Sequence, residues 1–449
     1  MFAMREQWSS KIGFIMASAG AAIGLGAIWK FPYQAGLNGG AAFFLLFIVF
    51  TLVIGLSMLI SEFVIGRGAK KEAITAYRTL APNSHWKMIG QLGVLGCFLL
   101  LSFYSVVGGW VLIYSAQSVV GQVIKDGANY EQLFGAVTSS PVITLTGLAL
   151  FLLINVVVIS FGIKNGIEKA NKYMMPLLFL FFIILVVRSL TLEGAAEGIS
   201  FILNPDFSSL TGEGILYALG QSFFALAVGF SCMVTYSSYL GKEVSIPASA
   251  SSVVVMNIFV SLLAGLAIFP AVFAFGIEPT EGPGLLFIIL PTVFAQIPFG
   301  EVFFCLFLLL FLFATLTSSF SLLEIIVSAF TENGKRSRKK VTWISGLVMF
   351  IAGIPAALSS SILKDFMVFN KTVFDATDYL VSNILLPLGS LLIAMFIIHR
   401  MDKALVEEQF KMSNNLSNGW YRIWRVVMTW IVPVTILVVY VNLIGIWKL

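Results

Sequence analysis

Stretches of apolar residues about as long as a lipid bilayer is thick follow one another along this chain. A helix that crosses the hydrocarbon core needs about 20 mainly apolar residues. Charged residues make up 11% of the 449 residues, whereas a soluble globular chain has about 25%. This composition excludes a disordered chain and an ordinary soluble enzyme. The predicted membrane spans, eleven in all, are 11–36, 41–68, 88–124, 142–160, 165–190, 213–239, 246–276, 299–330, 341–358, 373–399 and 424–446.

The positions of lysine and arginine predict how these spans are oriented. If the amino terminus is cytoplasmic, 21 of the 27 basic residues fall in cytoplasmic segments and 6 fall on the other side. Basic residues concentrate on the cytoplasmic side of membrane proteins. The amino terminus is therefore expected inside and, with eleven spans, the carboxyl terminus outside. The basic run 335–340 fits this topology signal, and no nucleic-acid partner is expected.

Two of the predicted spans contain small residues in their middle, at 19–27 and at 225–229. A helix break at membrane depth persists only where the freed backbone groups line a cavity or meet a ligand. The breaks lie five spans apart, which predicts one transporter domain, 1–449, with inverted halves at 11–190 and 213–400 and an extra span at 424–446. The alternative is that the glycines serve close helix packing.

Recognisable motifs surround the first break. They are Arg5-Glu6-Gln7-Trp8, Trp29-Lys30-Phe31-Pro32-Tyr33 and Asn38-Gly39-Gly40, with further stretches at 104–110 and 317–319. This set resembles the signature of the neurotransmitter:sodium symporter family, over nearly the whole chain. The resemblance implies the all-helical fold of the bacterial leucine transporter LeuT, with five-plus-five inverted repeats and broken helices 1 and 6. It also implies sodium-coupled symport of amino acids into the cell by alternating access, in the plasma or inner membrane.

Other functional classes fit the sequence less well. A channel needs continuous polar rings along a pore, whereas here the polar positions cluster at two breaks. An enzyme is not expected, because the two histidines lie beside loop segments and neither a metalloprotease nor a serine-hydrolase motif occurs. A non-transporting sensor of the same fold stays open. The expected partners are a hydrophobic amino acid and the lipid bilayer, with no obligate protein partner.

The resemblance implies a substrate site between the two breaks. Its residues are Ala22, Gly24, Leu25, Gly26, Leu100, Tyr104, Phe224, Ala225, Ala227, Phe230, Ser318 and Leu322. Family members that carry amines without a carboxylate have aspartate at the position of Gly24, so glycine leaves room for a substrate's own carboxylate, to which the Tyr104 hydroxyl would donate. Most other positions are apolar, and burying an unpaired polar group costs about 1–3 kcal/mol. A hydrophobic amino acid, aliphatic or aromatic, is therefore predicted.

The resemblance also implies sodium sites built mainly from backbone carbonyls. The second sodium site comprises Gly20, Ile23, Ala314, Thr317 and Ser318, and the first, with a weaker match, comprises Ala22, Ala225 and Asn257. The family has oxygen-bearing side chains where this chain has Ala27 and Ala225, so one or two sodium ions are predicted. Chloride is the weaker candidate ion, because Ser261 and Gln221 match the chloride-dependent pattern but Phe47 does not.

Charged and aromatic residues near the ends of the spans correspond to the family's gates. The implied inner gate comprises Arg5, Trp8, Tyr239 and Glu332, and the implied outer gate comprises Lys30, Gln34 and Asp378. Glu62, inside the second span, is predicted either to brace free N–H groups of the breaks or to accept a proton. Gly166 and Pro176 enclose nine residues of span five, which predicts unwinding of its cytoplasmic end or a simple proline kink.

Overall fold

Long apolar helices make up most of the molecule. The computed structural model describes residues 6–125, 127–276, 284–331, 336–414 and 416–443. Among these residues no β-strand occurs beyond a single bridge between Val368 and Lys371. The helices are α1 (Lys11–Ala22), α2 (Gly26–Leu37), α3 (Ala41–Ala69), α4 (Ala73–Leu80), α5 (Lys87–Val119), α6 (Tyr130–Ser139), α7 (Pro141–Ser160), α8 (Ile163–Leu190), α9 (Ala195–Leu203), α10 (Gly212–Phe224), α11 (Cys232–Ser237), α12 (Ile246–Ala274), α13 (Leu285–Ala295), α14 (Gly300–Phe330), α15 (Arg338–Ala357), α16 (Val373–His399), α17 (Lys403–Lys411) and α18 (Asn418–Asn442).

Nine of the described helices are long and apolar enough to cross a membrane, and each corresponds to one predicted span. They are α3, α5, α7, α8, α12, α14, α15, α16 and α18. A tenth span is the pair α1 and α2, which is bent by 51° at its break. The remaining predicted span, 213–239, is divided, because α10 ends at Phe224 and α11 begins at Cys232. With 13 and 6 residues, neither of these helices is long enough to cross a membrane alone.

The first helix of each broken span starts at a side-chain cap. The Ser10 hydroxyl accepts a hydrogen bond from the Gly13 N–H at the start of α1. The Thr211 hydroxyl accepts one from the Gly214 N–H at the start of α10. Such caps satisfy N–H groups that have no partner inside the helix and favour a defined start. Local sequence therefore sets where both broken spans begin.

The two broken spans lie at the centre of the helical bundle. α1 packs against α8, α12 and α14, and α11 packs against α3 and α14. All residues from Ala17 to Ala22 are buried. By contrast, only 33% of the apolar window of α8 and 28% of that of α18 are buried, which leaves most of their surface for lipid. The long spans thus enclose the breaks.

Candidate functional site

The first break separates α1 from α2. Ile23 leaves the helical conformation with φ −86° and ψ 86°, and α2 begins at Gly26. The last carbonyls of a helix lack N–H partners within it and need other donors. Here the Ser318 hydroxyl of α14 lies 2.9 Å from the Gly20 carbonyl oxygen and 3.1 Å from that of Ala21, and donates to them. A hydroxyl of a neighbouring span thus supplies the hydrogen bond that a further helical turn would otherwise provide.

The second break is longer and runs from residue 225 to residue 231. Ala227, Gly229 and Ser231 have φ values of +51°, +103° and +59°. Residues other than glycine adopt this left-handed region at a cost of about 1–2 kcal/mol each. Tertiary contacts must therefore hold the segment. One of them is the hydrogen bond of 2.9 Å between the hydroxyls of Ser231 and Tyr77.

The buried carboxylate of Glu62 binds the second break to α3. Its Oε1 accepts a hydrogen bond from the Gly229 N–H at 2.7 Å. Its Oε2 accepts from the N–H groups of Met233 and Val234 at 3.1 and 3.3 Å. These two groups belong to the first turn of α11, where N–H groups lack helical acceptors. The contacts are those of a brace for the second break. Among the described residues, the carboxylate accepts no hydrogen bond from the first break.

A small cavity of about 40 Å³ lies between the two breaks. Of the predicted substrate residues, it is lined by Ala22, Gly24, Leu25, Gly26, Leu100, Tyr104, Phe224, Ala227, Phe230, Ser318 and Leu322. Ala21, Cys232, Ser321 and Leu386 complete the wall. Ala225 does not line the cavity, because it packs into a separate apolar cluster with phenylalanines such as Phe31 and Phe47. No charged side chain lines the cavity among the residues that the structure describes.

Hydroxyl groups of this cavity gather beside the first break. A Cβ added at Gly24 would lie 2.3 Å from the Ser318 Oγ and 2.9 Å from the Tyr104 Oη. The Tyr104 hydroxyl is buried, and no described residue forms a hydrogen bond with it. Leu100 and Leu322 contribute only apolar atoms to the walls. The cavity thus has one polar end and an apolar body, and glycine at position 24 keeps the polar end open.

The residues of the predicted second sodium site meet where the end of α1 contacts α14. Ser318 reaches across to α1, as described above. The Thr317 hydroxyl instead donates to carbonyls of its own helix, including that of Ala314 at 3.1 Å. On the α1 side, Gly20 and Ile23 are buried. Carbonyl and hydroxyl oxygens at an interrupted helix are the ligands that suit a sodium ion.

A residue that the sequence analysis missed lies beside this cluster. Asn171 of α8 donates through its Nδ2 to the Ile167 carbonyl oxygen at 2.9 Å, which orients the amide. Its Oδ1 is buried and accepts no hydrogen bond from any described residue. A Cβ added at Gly20 would lie 2.1 Å from this oxygen and 3.0 Å from the Cβ of Thr317. The amide oxygen therefore borders the predicted second site. An asparagine inside an apolar span was the available signal.

The predicted first sodium site contains fewer oxygen atoms. The Asn257 Nδ2 donates to the carbonyl oxygens of Ala225 and Ala22 at 2.7 and 3.4 Å. The Asn257 Oδ1 and the Ser261 hydroxyl are buried without a hydrogen-bond partner in the described part of the chain. Rotating the amide by 180° exchanges its nitrogen and oxygen and would place the amide oxygen beside these two carbonyl oxygens. Ala27 is buried and adds no side-chain ligand.

Of the positions compared with chloride-dependent relatives, Gln221 carries a hydrogen-bond donor and Phe47 does not. The Gln221 Nε2 donates to the Gly26 carbonyl oxygen at 2.6 Å. Phe47 is buried in the apolar cluster that contains Ala225. The Gln221 amide is thus already hydrogen-bonded to the first break, and the Phe47 side chain offers only carbon atoms.

A wide vestibule of about 820 Å³ lies on the Lys30 side of the cavity. The Lys30 ammonium is 3.1 Å from the Asp378 carboxylate and 4.3 Å from the centroid of the Phe224 ring. Phe224 and Leu386 line both the vestibule and the cavity, so they form the partition between the two. Gln34 also lines the vestibule, but its side chain accepts a hydrogen bond from a neighbouring asparagine and not from the Lys30 ammonium.

Aromatic residues close the opposite side of the breaks. The Trp8 indole N–H donates to the Tyr236 carbonyl oxygen at 2.9 Å, and the Trp8 backbone N–H donates to that of Tyr239 at 3.3 Å. The Trp8 ring meets both tyrosine rings edge-on. The Tyr239 hydroxyl donates to the Glu324 carboxylate at 2.8 Å. The amino-terminal segment is thereby attached to the last turn of α11 and to the residues just after it.

Glu324 belongs to an ion pair with the partly exposed Arg338, which the sequence analysis also missed. Its carboxylate is fully buried and receives two hydrogen bonds from the Arg338 guanidinium, one of them at 3.1 Å. The Arg338 Nε donates to the Ile159 carbonyl oxygen at 3.1 Å. A glutamate within an apolar span was the sequence signal for such a partner. The other two residues of the predicted inner gate, Arg5 and Glu332, lie outside the described residues.

The start of α8 is wound in this structure. Residues 163–168 form one π-helical turn that continues into the α-helix containing Pro176. A Cβ added at Gly166 would lie 2.1 Å from the Val158 carbonyl oxygen, so glycine permits this contact with α7. In the same turn, the Glu168 carboxylate accepts a hydrogen bond from the Ser9 N–H at 2.8 Å. This end of α8 is helical in this structure, and its unwinding stays a prediction.

Comparisons with known proteins agree with this geometry. The family model described as the sodium:neurotransmitter symporter family matches residues 5–131 and 135–447. The chain belongs to this family. The uncharacterized sodium-dependent transporter YhdH of Bacillus subtilis (strain 168) is 52% identical to this symporter over 441 residues, which is 98% of each protein. An uncharacterized sodium-dependent transporter of Haemophilus influenzae is 38% identical over 453 residues, again 98% of each.

A solved structure shows the fold of the symporter. The crystal structure of MhsT in complex with L-phenylalanine has a TM-score of 0.91 and 38% identity, and it covers 98% of this chain and 100% of MhsT. MhsT has the LeuT fold, which confirms the predicted all-helical class. The family consists of transporters and not of enzymes. The symporter is therefore a sodium-dependent membrane transporter.

Proposed function

We propose that this symporter carries hydrophobic L-amino acids, aliphatic or aromatic, into the cell together with sodium by alternating access. The observation that supports the proposal is the cavity between the breaks, with its polar end and apolar body. MhsT, a relative of the same fold, was solved with a ligand of this class. The proposed location is the plasma or inner membrane. The distribution of basic residues supports a cytoplasmic amino terminus and an extracellular carboxyl terminus.

Backbone groups at the breaks would bind the two charged ends of the amino acid. The N–H groups at the start of α2, from Leu25 and Gly26, lie at the positive end of a helix dipole and would donate to the carboxylate. The Tyr104 hydroxyl would add a third donor. The carbonyl oxygens of Ala22 and Phe224, at the ends of α1 and α10, would accept from the ammonium group. Both charges are then satisfied without an ionised side chain.

The apolar walls would surround the side chain of the substrate. Leu100, Phe230 and Leu322 line the cavity, and no charged or amide side chain does so among the described residues. A polar substrate side chain would be buried without a partner, at a cost of about 1–3 kcal/mol. One methylene in an apolar pocket changes binding by only about 1–3 kcal/mol. We therefore expect a range of hydrophobic amino acids.

Sodium would bind where α1 meets α14. The proposed ligands of the second site are the carbonyl oxygens of Gly20, Ile23 and Ala314 and the hydroxyls of Thr317 and Ser318. Because these residues adjoin the first break, sodium there would hold the break in the form that receives the carboxylate. A first site at Ala22, Ala225 and Asn257 is proposed as the weaker one, because it lacks two side-chain oxygens.

The two sides of the cavity would open in turn. The Lys30–Asp378 pair and Phe224 would form the outer barrier, and Trp8 with Tyr239 would form the inner barrier. Sodium and the amino acid would enter from the vestibule, and Phe224 would close over them. Loss of sodium to the cytoplasm would then release the amino acid.

Equilibrium binding of labelled amino acids to the purified symporter tests this proposal. Leucine, phenylalanine and tryptophan should bind in sodium and not when choline replaces it. Tyr104→Phe should weaken binding roughly tenfold, because a hydrogen bond to a charged group contributes about 1.5–3 kcal/mol. Tyr114→Phe is the matched control, since Tyr114 is a buried tyrosine of the same helix that does not line the cavity. Competition by glutamate or lysine, with none by the hydrophobic amino acids, would overturn the proposal.

A further inference from the structure

Two thiols face each other inside the bundle. The Sγ atoms of Cys97 and Cys232 are 3.2 Å apart. Cys97 lies on α5 and is fully buried, and Cys232, the first residue of α11, is 1% exposed. A disulfide bond has an S–S length of about 2.05 Å. A small displacement would therefore bring the two sulfur atoms to bonding distance. The proposed transport mechanism uses neither thiol.

The backbones that carry the two cysteines are in direct contact. A Cβ added at Gly93 would lie 2.3 Å from the Phe230 carbonyl oxygen, and one added at Gly96 would lie 2.4 Å from the Phe230 ring. These glycines precede Cys97 on α5, and Phe230 lies two residues before Cys232. Disulfide formation requires closely spaced backbones, with Cα atoms about 4.4–6.8 Å apart. The glycines permit this spacing.

The substrate cavity gives access to one member of the pair. Cys232 lines the cavity, whereas Cys97 is not part of its lining. Phe224 and Leu386 separate the cavity from the vestibule. A small solute therefore reaches Cys232 when this partition opens, and a bound amino acid would occupy the same space. The reactivity of the pair should depend on the state of the transporter.

We propose that Cys97 and Cys232 form a redox-sensitive modification site, a dithiol that hydrogen peroxide converts into a disulfide. The Cys232 sulfur, after losing its proton, attacks one peroxide oxygen, the O–O bond breaks, and a sulfenic acid and one water form. The Cys97 sulfur then attacks the sulfenic sulfur, the S–S bond forms, the S–O bond breaks, and a second water leaves. The two thiols lose two electrons, and the peroxide gains them.

The disulfide would lock the transporter. Cys97 belongs to the first predicted half of the chain and Cys232 to the second. Alternating access moves one repeat against the other, so a covalent bond between them, beside the cavity, would stop uptake. This consequence rests on the proposed function, whereas formation of the bond does not.

Peptide mass spectrometry and amino acid uptake, on the full-length symporter in proteoliposomes, test the proposal. Hydrogen peroxide should produce a linked peptide containing Cys97 and Cys232 and abolish phenylalanine uptake, and dithiothreitol should restore it. Sodium and phenylalanine together should slow the reaction. Cys305→Ser retains the pair and should behave like the unaltered protein. Cys97→Ser should keep its uptake in peroxide.

Each contrary result overturns a stated part of the proposal. Absence of the linked peptide, with Cys232 oxidised alone, would exclude the dithiol. A linked peptide with unchanged uptake would exclude the lock, as would equal loss of uptake in Cys97→Ser. If the untreated symporter neither binds nor transports phenylalanine, the proposed function fails, while the linked peptide still reports on the thiol pair.

Discussion

Single residues leave space and unpartnered polar atoms at this site. Glycine at position 24 keeps space between two hydroxyls that any side chain would overlap. The amide oxygen of Asn171 and the hydroxyl of Tyr104 are buried without partners among the described residues. A buried polar atom without a hydrogen bond costs about 1–3 kcal/mol. Such atoms at the junction of two broken helices are the ones that a bound ion or zwitterion would satisfy.

Gly24→Ala should abolish amino acid binding without unfolding the protein. The added Cβ would lie 2.3 Å from the Ser318 Oγ, where the proposed carboxylate site begins. Gly135→Ala on α6 is the matched control, because nothing lies within 4 Å of its added Cβ. It should leave binding unchanged and stabilise its helix by up to about 1 kcal/mol. Equilibrium binding of labelled phenylalanine is the measurement. Undiminished binding by Gly24→Ala would contradict the proposed position of the carboxylate.

Asn171→Ala should raise the sodium concentration required for half-maximal phenylalanine binding roughly tenfold, equivalent to about 1.4 kcal/mol. The reason is the loss of an unpartnered oxygen beside Gly20. Asn155→Ala is the control, since Asn155 is equally buried and also donates to the carbonyl four residues before it, but its Oδ1 accepts from Ser319. Asn155→Ala should lower the stability of the protein without changing the sodium concentration required for half-maximal binding. Equal sodium dependence in the two variants would show that Asn171 is not part of the proposed second sodium site.

At the scale of helices, apolar length predicts most of the architecture. The predicted span 299–330 and the observed helix Gly300–Phe330 nearly coincide. The run of small residues likewise predicts where the first break lies, because larger side chains would not fit where neighbouring helices pack closely against it. The proposed sodium ligands on α14 could be predicted only through the family resemblance, since a threonine and two serines in an apolar span can also bond their own helix.

Contacts between distant segments account for what the sequence does not predict. The second break extends to Ser231, whose left-handed conformation is accompanied by a hydrogen bond to Tyr77, 154 residues away. The partner of Glu324 and the position of Ala225 likewise depend on which helices become neighbours. A single sequence contains the residues of such contacts but not their pairing.

Glu62→Gln should destabilise the second break. A neutral amide has one acceptor oxygen, whereas the carboxylate of Glu62 accepts from three N–H groups with two. Leaving a buried donor without a partner costs about 1–3 kcal/mol, so both the thermal unfolding midpoint and uptake should fall. Glu407→Gln, in a half-exposed pair with Lys411, should change stability by less than about 0.5 kcal/mol. An unchanged thermal unfolding midpoint in Glu62→Gln would contradict the claim that Glu62 stabilises the second break.

At the scale of the whole molecule, the structure combines a vestibule on one side of the breaks with a closed aromatic layer on the other. The Lys30–Asp378 pair lines the vestibule, and the Lys30 ammonium lies over the ring of Phe224, which separates the vestibule from the cavity. Its side chains are 17% and 32% exposed, and such partly exposed pairs contribute up to about 1 kcal/mol. The pair should therefore control the rate of opening more than the stability of the fold.

A double-mutant cycle on this pair tests that role. Lys30→Gln and Asp378→Asn should each speed the dissociation of bound phenylalanine by at most about fivefold, because the interaction is partly screened by water. The double variant should dissociate little faster than either single variant, since both remove the same interaction. Stopped dilution of labelled phenylalanine gives the rates. Independent, multiplicative effects would show that the two residues do not act as one barrier.

Uptake by proteoliposomes under a sodium gradient tests the central claim most directly. Labelled phenylalanine should accumulate above its external concentration when sodium is high outside, and accumulation should disappear when choline replaces sodium. Replacing chloride with gluconate should leave accumulation unchanged, because Phe47 departs from the chloride-dependent pattern and lies in an apolar cluster. Binding without accumulation, or accumulation that persists in choline, would contradict a sodium-coupled symporter.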